Sequence, residues 1–234
     1  MKQQHKSPVA IFEAARFSTH VSDPARMQAE LHILALRFAR LIDRLTRKDS
    51  EKVSTALAGL QLIYEAAEAQ SKVRQHLTND CSTHVVHYLP LHEFLQERLA
   101  KISSLAPGIG QVPFIIFDND DFSALTKSIC ILLARNEKGI SFREPRAKDA
   151  RHMVNNLDIS SIEEYKEAAQ KHDWLLWDDL TTIESDIGRD LGTEGKPDVK
   201  VKQSSIHFGR ENTGSQRGVV HGGIYDPHFP LGMG

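Results

Sequence analysis

Residues 22–48 read SDPARMQAELHILALRFARLIDRLTRK and contain the start, body and end of one long helix. Asp23 and Pro24 predict the start, because an aspartate accepts hydrogen bonds from free first-turn amides and proline fits the first helical position. Apolar residues then alternate at spacings of four and three, as in a buried helical stripe. The stripe consists of Met27, Leu31, Leu34, Phe38, Leu41 and Leu45.

A second helix repeats this spacing after the polar break 46–50, where Asp49 or Ser50 can cap it. Its stripe is Val53, Leu57, Leu60, Tyr64 and Ala67, and the pattern fades near Leu77. Two helices joined by a short turn predict an antiparallel hairpin. A third helix starting at Pro90 completes a predicted three-helix bundle over residues 1–105.

The segment 106–110, APGIG, predicts a domain boundary because proline and glycine interrupt helices. Beyond it, residues 112–190 predict a small, mostly helical α+β unit. The run 114–117, FIIF, predicts a buried strand, and residues 140–143 predict a second strand that would complete a βαβ unit. Further helices are expected to open at Pro145 and after Ser160, the latter continuing unbroken to Ile187.

Ten of the fourteen glycines lie between Gly188 and Gly234, so residues 191–234 predict an extended glycine-rich arm. A short edge strand is expected at 199–202. The isolated aromatics Phe208, Tyr225 and Phe229 favour a docking peptide, since flexible linkers seldom retain such residues. The alternative is a flexible, unstructured C-terminal tail, because chain ends are often poorly ordered.

Composition favours a mainly helical protein of the cytoplasm. Forty per cent of residues are hydrophobic and 26% are charged, and the net charge is −2. The net charge is therefore too small and of the wrong sign to attract the chain to nucleic acid or to an anionic membrane. Two cysteines make no disulfide framework, and we see neither a signal peptide nor an apolar stretch that would span a membrane.

Imidazoles and one thiol cluster between residues 76 and 92, where they are candidate metal ligands. The cluster comprises His76, Cys81, His84, His87 and His92. The spacing of Cys81, His84 and His87 matches no zinc-ribbon pattern. We therefore favour polar helix ends over a metal site and predict no cofactor.

Carboxylates follow the predicted strand 114–117 at Asp118, Asp120 and Asp121. Acids at a strand tip are a common arrangement for holding Mg²⁺, which indicates a hydrolase or phosphotransferase as one alternative. A second strand-tip acid is not evident. The favoured interpretation is that Asp120 or Asp121 caps a helix running to about residue 136.

Four arginines share one predicted face of the first helix, namely Arg37, Arg40, Arg44 and Arg47. Such a face suits phosphate contacts, so a DNA-binding regulator is a further alternative. The competing interpretation is a solvated surface opposite the apolar stripe, since no aromatic stacking motif accompanies the charges.

Trp174 and Trp177 lie one helical turn apart and share a face. They are interface anchors if that face is exposed and core residues if it is buried, with the core favoured. Taken together, the sequence favours a non-enzymatic assembly subunit. Its expected partners are proteins, as a homo-oligomer or within a larger complex that handles nucleic acid.

Overall fold

The computed structural model describes residues 7–77, 83–84, 91–105, 114–191, 218–220 and 223–225. The predicted mainly helical fold is confirmed over these residues. The helices are α1 (Ala10–Glu13), α2 (Pro24–Thr46), α3 (Ser50–Leu77), α4 (His92–Ser103), α5 (Asn119–Asn136), α6 (Arg143–Asn156), α7 (Ile159–His172) and α8 (Trp174–Leu191). The strands are β1 (Ala15–Ser18), β2 (Thr83–His84), β3 (Ile115–Phe117), β4 (Gly218–Val220) and β5 (Gly223–Tyr225).

Aspartates cap the starts of several helices, at Asp23 and Asp49 as the sequence predicts and at Asp158 where the sequence predicts a start after Ser160. Asp23 Oδ1 accepts from Arg26 N at 3.0 Å in α2, and Asp49 Oδ1 accepts from Lys52 N at 3.1 Å in α3. Asp158 does the same for α7, where Ser161 N donates at 2.8 Å. Each bond satisfies an amide that has no partner inside its own helix.

A small sheet with strand order β2-β1-β3 lies against these helices. Strand β1 pairs in parallel with β3, with Ala15 opposite Ile115, and antiparallel with β2. The predicted strand at 140–143 is wrong, because Arg143 already begins α6 and residues 140–142 form no strand. Strand β3 finds its partner near the start of the chain, so the expected local βαβ unit does not form.

Helix α2 is the centre of the body, packed by α3, α4, α5 and α7. Its predicted stripe is buried, and so are residues on its other faces, including Ala29, Ile33, Leu36 and Ile42. One hydrophobic core spans residues from Val9 to Leu180 and includes side chains from both sides of the segment 106–110. The described residues between 7 and 191 form one compact unit.

The helix predicted to run unbroken from Ser160 to Ile187 is divided at Asp173, so that prediction is wrong. Asp173 leaves helical geometry with φ −151° and ψ 67°. Its backbone amide closes α7 on Ala169 O at 2.7 Å, and its carboxylate accepts from Leu176 N at 3.3 Å in α8. The same residue therefore ends one helix and caps the next.

In the C-terminal segment the described residues are strands β4 and β5, which pair antiparallel with Gly218 opposite Tyr225. The predicted strand at 199–202 lies outside the described residues, and so do Phe208 and Phe229. Within the described ranges, no helix has the length and apolar content that crossing a bilayer requires.

Candidate functional site

Trp174 and Trp177 form a stacked pair at the start of α8. Their ring centroids are 4.6 Å apart with planes inclined by 27°. Trp177 packs against the core, whereas 54% of Trp174 is exposed. The adjacent Leu175 is 50% exposed. The sequence left core and interface as alternatives for this pair, and the structure assigns one ring to each environment.

The position of this apolar surface is fixed by the buried face of α8 and by its cap. Leu176 and Leu180 are fully buried, which anchors the helix to the body. Asp173 caps the first turn and also pairs with the guanidinium of Arg40. Trp174 and Leu175 are therefore presented from a rigid helix start. We define these two residues as the α8 apolar surface.

The four predicted phosphate-binding arginines of α2 lie in different environments. Arg40 is only 3% exposed, its Nε lies 3.2 Å from Asp149 Oδ2, and its Nη2 bonds Asp173. Arg37 donates to Glu137 through Nε at 2.8 Å and to the carbonyl of His172. The guanidinium groups of Arg37 and Arg40 are therefore both bonded to other residues of the same chain.

Arg44 is half-buried and Arg47 is exposed. Neither forms an ion pair among the described residues. Any contact that the arginine face makes with phosphate would therefore rest on these two side chains rather than on all four.

Asp149 is the buried carboxylate that pairs with Arg40 and Arg98. The sequence did not predict this role for Asp149. It is 1% exposed, and its Oδ1 accepts from Arg98 Nη1 at 2.8 Å while Oδ2 faces Arg40. Burial raises the pKa of Asp149 to about 6, although the two arginines act to lower it. The only sign of this role in the sequence is that Asp149 interrupts a run of basic residues. The same pattern is also typical of an exposed helix.

A second polar centre joins α2, α5 and α7 inside the body. Glu30 accepts from Lys171 Nζ at 2.8 and 2.9 Å, and lies 2.7 Å from His172 Nε2. Burial acts to raise the pKa of Glu30, but the hydrogen bonds from His172 and Lys171 hold it below its usual value. His172 Nδ1 lies 3.5 Å from Cys130 Sγ on its other side.

This line of carboxylate, imidazole and thiol has the order of a nucleophilic triad, but its chemistry is that of a buried structural contact. Burial raises the pKa of Cys130, so the thiol stays protonated and is a poor nucleophile. A structural contact is the arrangement we infer, because an activated cysteine needs the opposite shift.

His32 is a further buried imidazole, held between two aromatic neighbours on α4 and α7. Its Nδ1 lies 2.8 Å from the hydroxyl of Tyr165, and its ring stacks on that of His92 with centroids 6.2 Å apart. Burial lowers the pKa of His32 to about 3, so the ring is neutral at physiological pH. It serves as a neutral hydrogen-bonding partner in the core.

The acids after β3 lie at the start of α5. Asp118 is the N-cap and accepts from Asp121 N at 2.9 Å, so the cap lies earlier than the predicted Asp120 or Asp121. Asp120 and Asp121 occupy the first turn, where they complement the helix dipole. Across the described ranges, no group of three or more histidine, cysteine or acidic side chains converges as a metal site would require.

The predicted histidine and cysteine cluster is only partly within the described residues. Cys81 and His87 lie outside them, and so does the side chain of His76. His84 belongs to β2, where its backbone pairs with Phe17. His92 begins α4 and stacks on His32.

Comparison with known proteins shows a shared fold. No protein-family model matches the chain, and no curated protein matches its sequence. Among solved structures, the HET-S N-terminal domain superimposes with a TM-score of 0.63 at 20% identity, covering 77% of this chain and 91% of that one. A doubly substituted mutant of the HET-s N-terminal domain gives 0.60 at 19% identity, covering 76% of this chain and 95% of that one.

Proposed function

We propose that this protein is a non-enzymatic assembly subunit of the cytoplasm, which binds further copies of itself or other proteins. The α8 apolar surface is the contact site, and the C-terminal segment 192–234 adds a second. The observation that carries the proposal is the exposure of the consecutive residues Trp174 and Leu175 in the first turn of α8. Tryptophan is enriched at the centres of protein interfaces, where its burial contributes a large share of binding energy.

The other exposed apolar residues differ from this pair. No two of the remaining exposed residues are neighbours in the sequence, as is normal for a protein surface; they are Leu62, Val73, Leu105, Ile131 and Ile159. Phe114 is exposed on one face, but Arg16 covers its ring at 4.1 Å. Trp174 keeps 54% of its surface exposed although one of its faces stacks on Trp177, and Leu175 beside it in the sequence is 50% exposed, so we take the α8 surface as the best docking candidate in the described part of the chain.

The fold comparison is compatible with this arrangement. The similar structures are each described as an N-terminal domain, and here too the helical body precedes a C-terminal segment. We propose that the helical body supplies the main binding surface and that the C-terminal segment supplies an additional contact to the partner.

The alternative of a metal-dependent hydrolase has less support. Its key residue, Asp118, already accepts the amide hydrogen bond of its own helix. Nucleic acid is an alternative partner through Arg44 and Arg47, because Arg44 is half-buried, Arg47 is exposed, and neither forms an ion pair among the described residues.

Light scattering after size-exclusion chromatography tests the proposal on the full chain. We expect a mass that exceeds the 26.3 kDa of one chain and increases with concentration. Leu175→Glu should shift the protein toward the monomer, because a charge then lies in the contact. Leu62→Glu is the matched control, since Leu62 is 67% exposed on α3 and its replacement should leave the mass unchanged.

Tryptophan fluorescence gives a second, local measurement, because the only two tryptophans of the chain are Trp174 and Trp177. Self-association through α8 should shift their emission to shorter wavelength as the concentration rises. Truncation after Leu191 separates the contributions of body and segment. A monomeric full chain with concentration-independent emission would reject self-assembly, and equal effects of the two glutamate variants would reject the α8 surface.

A further inference from the structure

A second surface feature is a cleft between α2, α4 and α6. The cleft has a volume of about 160 Å³. Five cationic side chains line it, namely Arg40, Arg44, Arg47, Arg98 and Lys148, against two acidic ones, Asp43 and Glu144. A chain with a net charge of −2 thus concentrates positive charge at one concave site.

The cations of this cleft form two groups: two are paired with acidic side chains of the chain, and three are not. Arg40 and Arg98 both pair with the buried Asp149, and Arg98 also lies 3.9 Å from Asp43. Arg44, Arg47 and Lys148 have no acid within ion-pair distance among the described residues. These three unpaired cations outnumber the one remaining acid of the cleft, Glu144.

Arg44 provides the most specific observation. Its Nε is buried and has no hydrogen-bond partner among the described residues. A buried donor of a charged group is costly to leave without an acceptor, and the great majority of such groups in proteins have one. Arg44 lines the cleft, so an anion bound there meets the outer nitrogens of a guanidinium that has no hydrogen-bond partner among the described residues.

We propose that this cleft binds the phosphate group of a small phosphorylated molecule, with Arg44 as its central ligand. A guanidinium presents two parallel N–H donors that match two oxygens of a phosphate. Three free cations suit a multiply charged anion better than a single carboxylate. The volume corresponds to roughly five water molecules, which accommodates a phosphoryl group and a few further atoms but not a polypeptide segment.

Isothermal titration of the full chain with sodium pyrophosphate tests the proposal. We expect saturable binding that weakens as the salt concentration rises. Arg44→Gln should weaken the affinity roughly tenfold or more, as loss of a charged hydrogen bond does. Arg135→Gln removes the same charge from the exposed end of α5, outside the cleft, and should change the affinity less than about twofold.

Lys148→Gln is a second variant that cannot fail through misfolding, because Lys148 is exposed. It should weaken pyrophosphate binding several-fold while the thermal unfolding temperature stays unchanged. Absence of binding by the wild-type protein would overturn the proposal, and so would equal affinities of Arg44→Gln and Arg135→Gln. Binding of a single-stranded oligonucleotide or of phosphatidic-acid vesicles without binding of pyrophosphate would also overturn it.

Discussion

Replacing Arg40 by methionine should strongly destabilise the protein. Methionine preserves much of the length and apolar stem of arginine but removes its charge. Arg40 is 3% exposed and lies between Asp149 and Asp173, which are themselves 1% and 9% exposed. The change leaves Asp149 with Arg98 alone and deprives Asp173 of its bonded guanidinium.

The expected loss is about 3–5 kcal/mol, the usual result of removing one partner from a buried ion pair. Domains of this kind have a total stability of roughly 5–15 kcal/mol, so the variant should lose about a fifth of it or more. Arg47→Met is the matched control on the same helix. Arg47 is exposed, so its replacement should change the free energy of unfolding by less than about 0.5 kcal/mol.

The loss should also depend on pH. The pKa of Asp149 is about 6 in the folded protein against an ordinary value of 3.8, so the folded state binds the extra proton between these values. The raised pKa of Asp149 therefore does not affect the stability of the folded state below about pH 4. It lowers that stability progressively as the pH rises from there through 6. Without Arg40 the charged carboxylate loses an attraction, so Arg40→Met should cost more at pH 8 than at pH 5.

Urea denaturation followed by circular dichroism at the two pH values measures these differences, with the slope of the transition as a check on two-state behaviour. A loss below about 1 kcal/mol at pH 8 would refute the argument that the ion pair is buried. An equal loss at the two pH values would refute the role of Asp149.

Three smaller predictions follow from individual contacts, each measured by the same unfolding assay. Tyr165→Phe leaves His32 Nδ1 without its hydroxyl partner and should cost about 1–2 kcal/mol, equally at pH 6 and pH 8 because the ring is neutral at both. Asp118→Ala should cost about 1 kcal/mol through loss of the α5 cap, whereas Asp118→Asn should cost little; equal losses would argue against the cap. Gly59→Ala should stabilise by up to about 1 kcal/mol, because the new methyl group meets only the end of the partly exposed Leu132 side chain, and a loss would show that Leu132 cannot move.

The helix starts were predictable because their signals are local. Asp23 and Asp49 each lie directly before an apolar period, and each accepts the backbone amide three residues further on. The end of α5 was predictable for the same reason. Gly139 follows it with φ +75°, a conformation that other residues rarely adopt. These features depend on four or five consecutive residues and need no knowledge of the rest of the chain.

The environment of α2 was not predictable because it depends on distant segments. A helix with an apolar stripe and polar residues opposite indicates one buried face, yet Glu30, His32 and Arg40 are buried too. Their partners lie on α4, α6, α7 and at the α7–α8 junction. The pairing of β1 with β3 is non-local in the same way, since Ala15 lies opposite Ile115. The cationic cleft and the α8 apolar surface both result from these distant contacts.

The buried polar groups of α2 connect the core to the proposed assembly surface. Glu30 contacts Lys171 and His172 at the end of α7, and Arg40 contacts Asp173, which caps α8. These contacts fix the turn from which Trp174 emerges. Apolar packing alone tolerates alternative arrangements of helices, whereas paired polar groups favour one. Arg40→Met should therefore change the tryptophan emission spectrum even under conditions where the protein remains folded, which would link the core of α2 to the surface of α8.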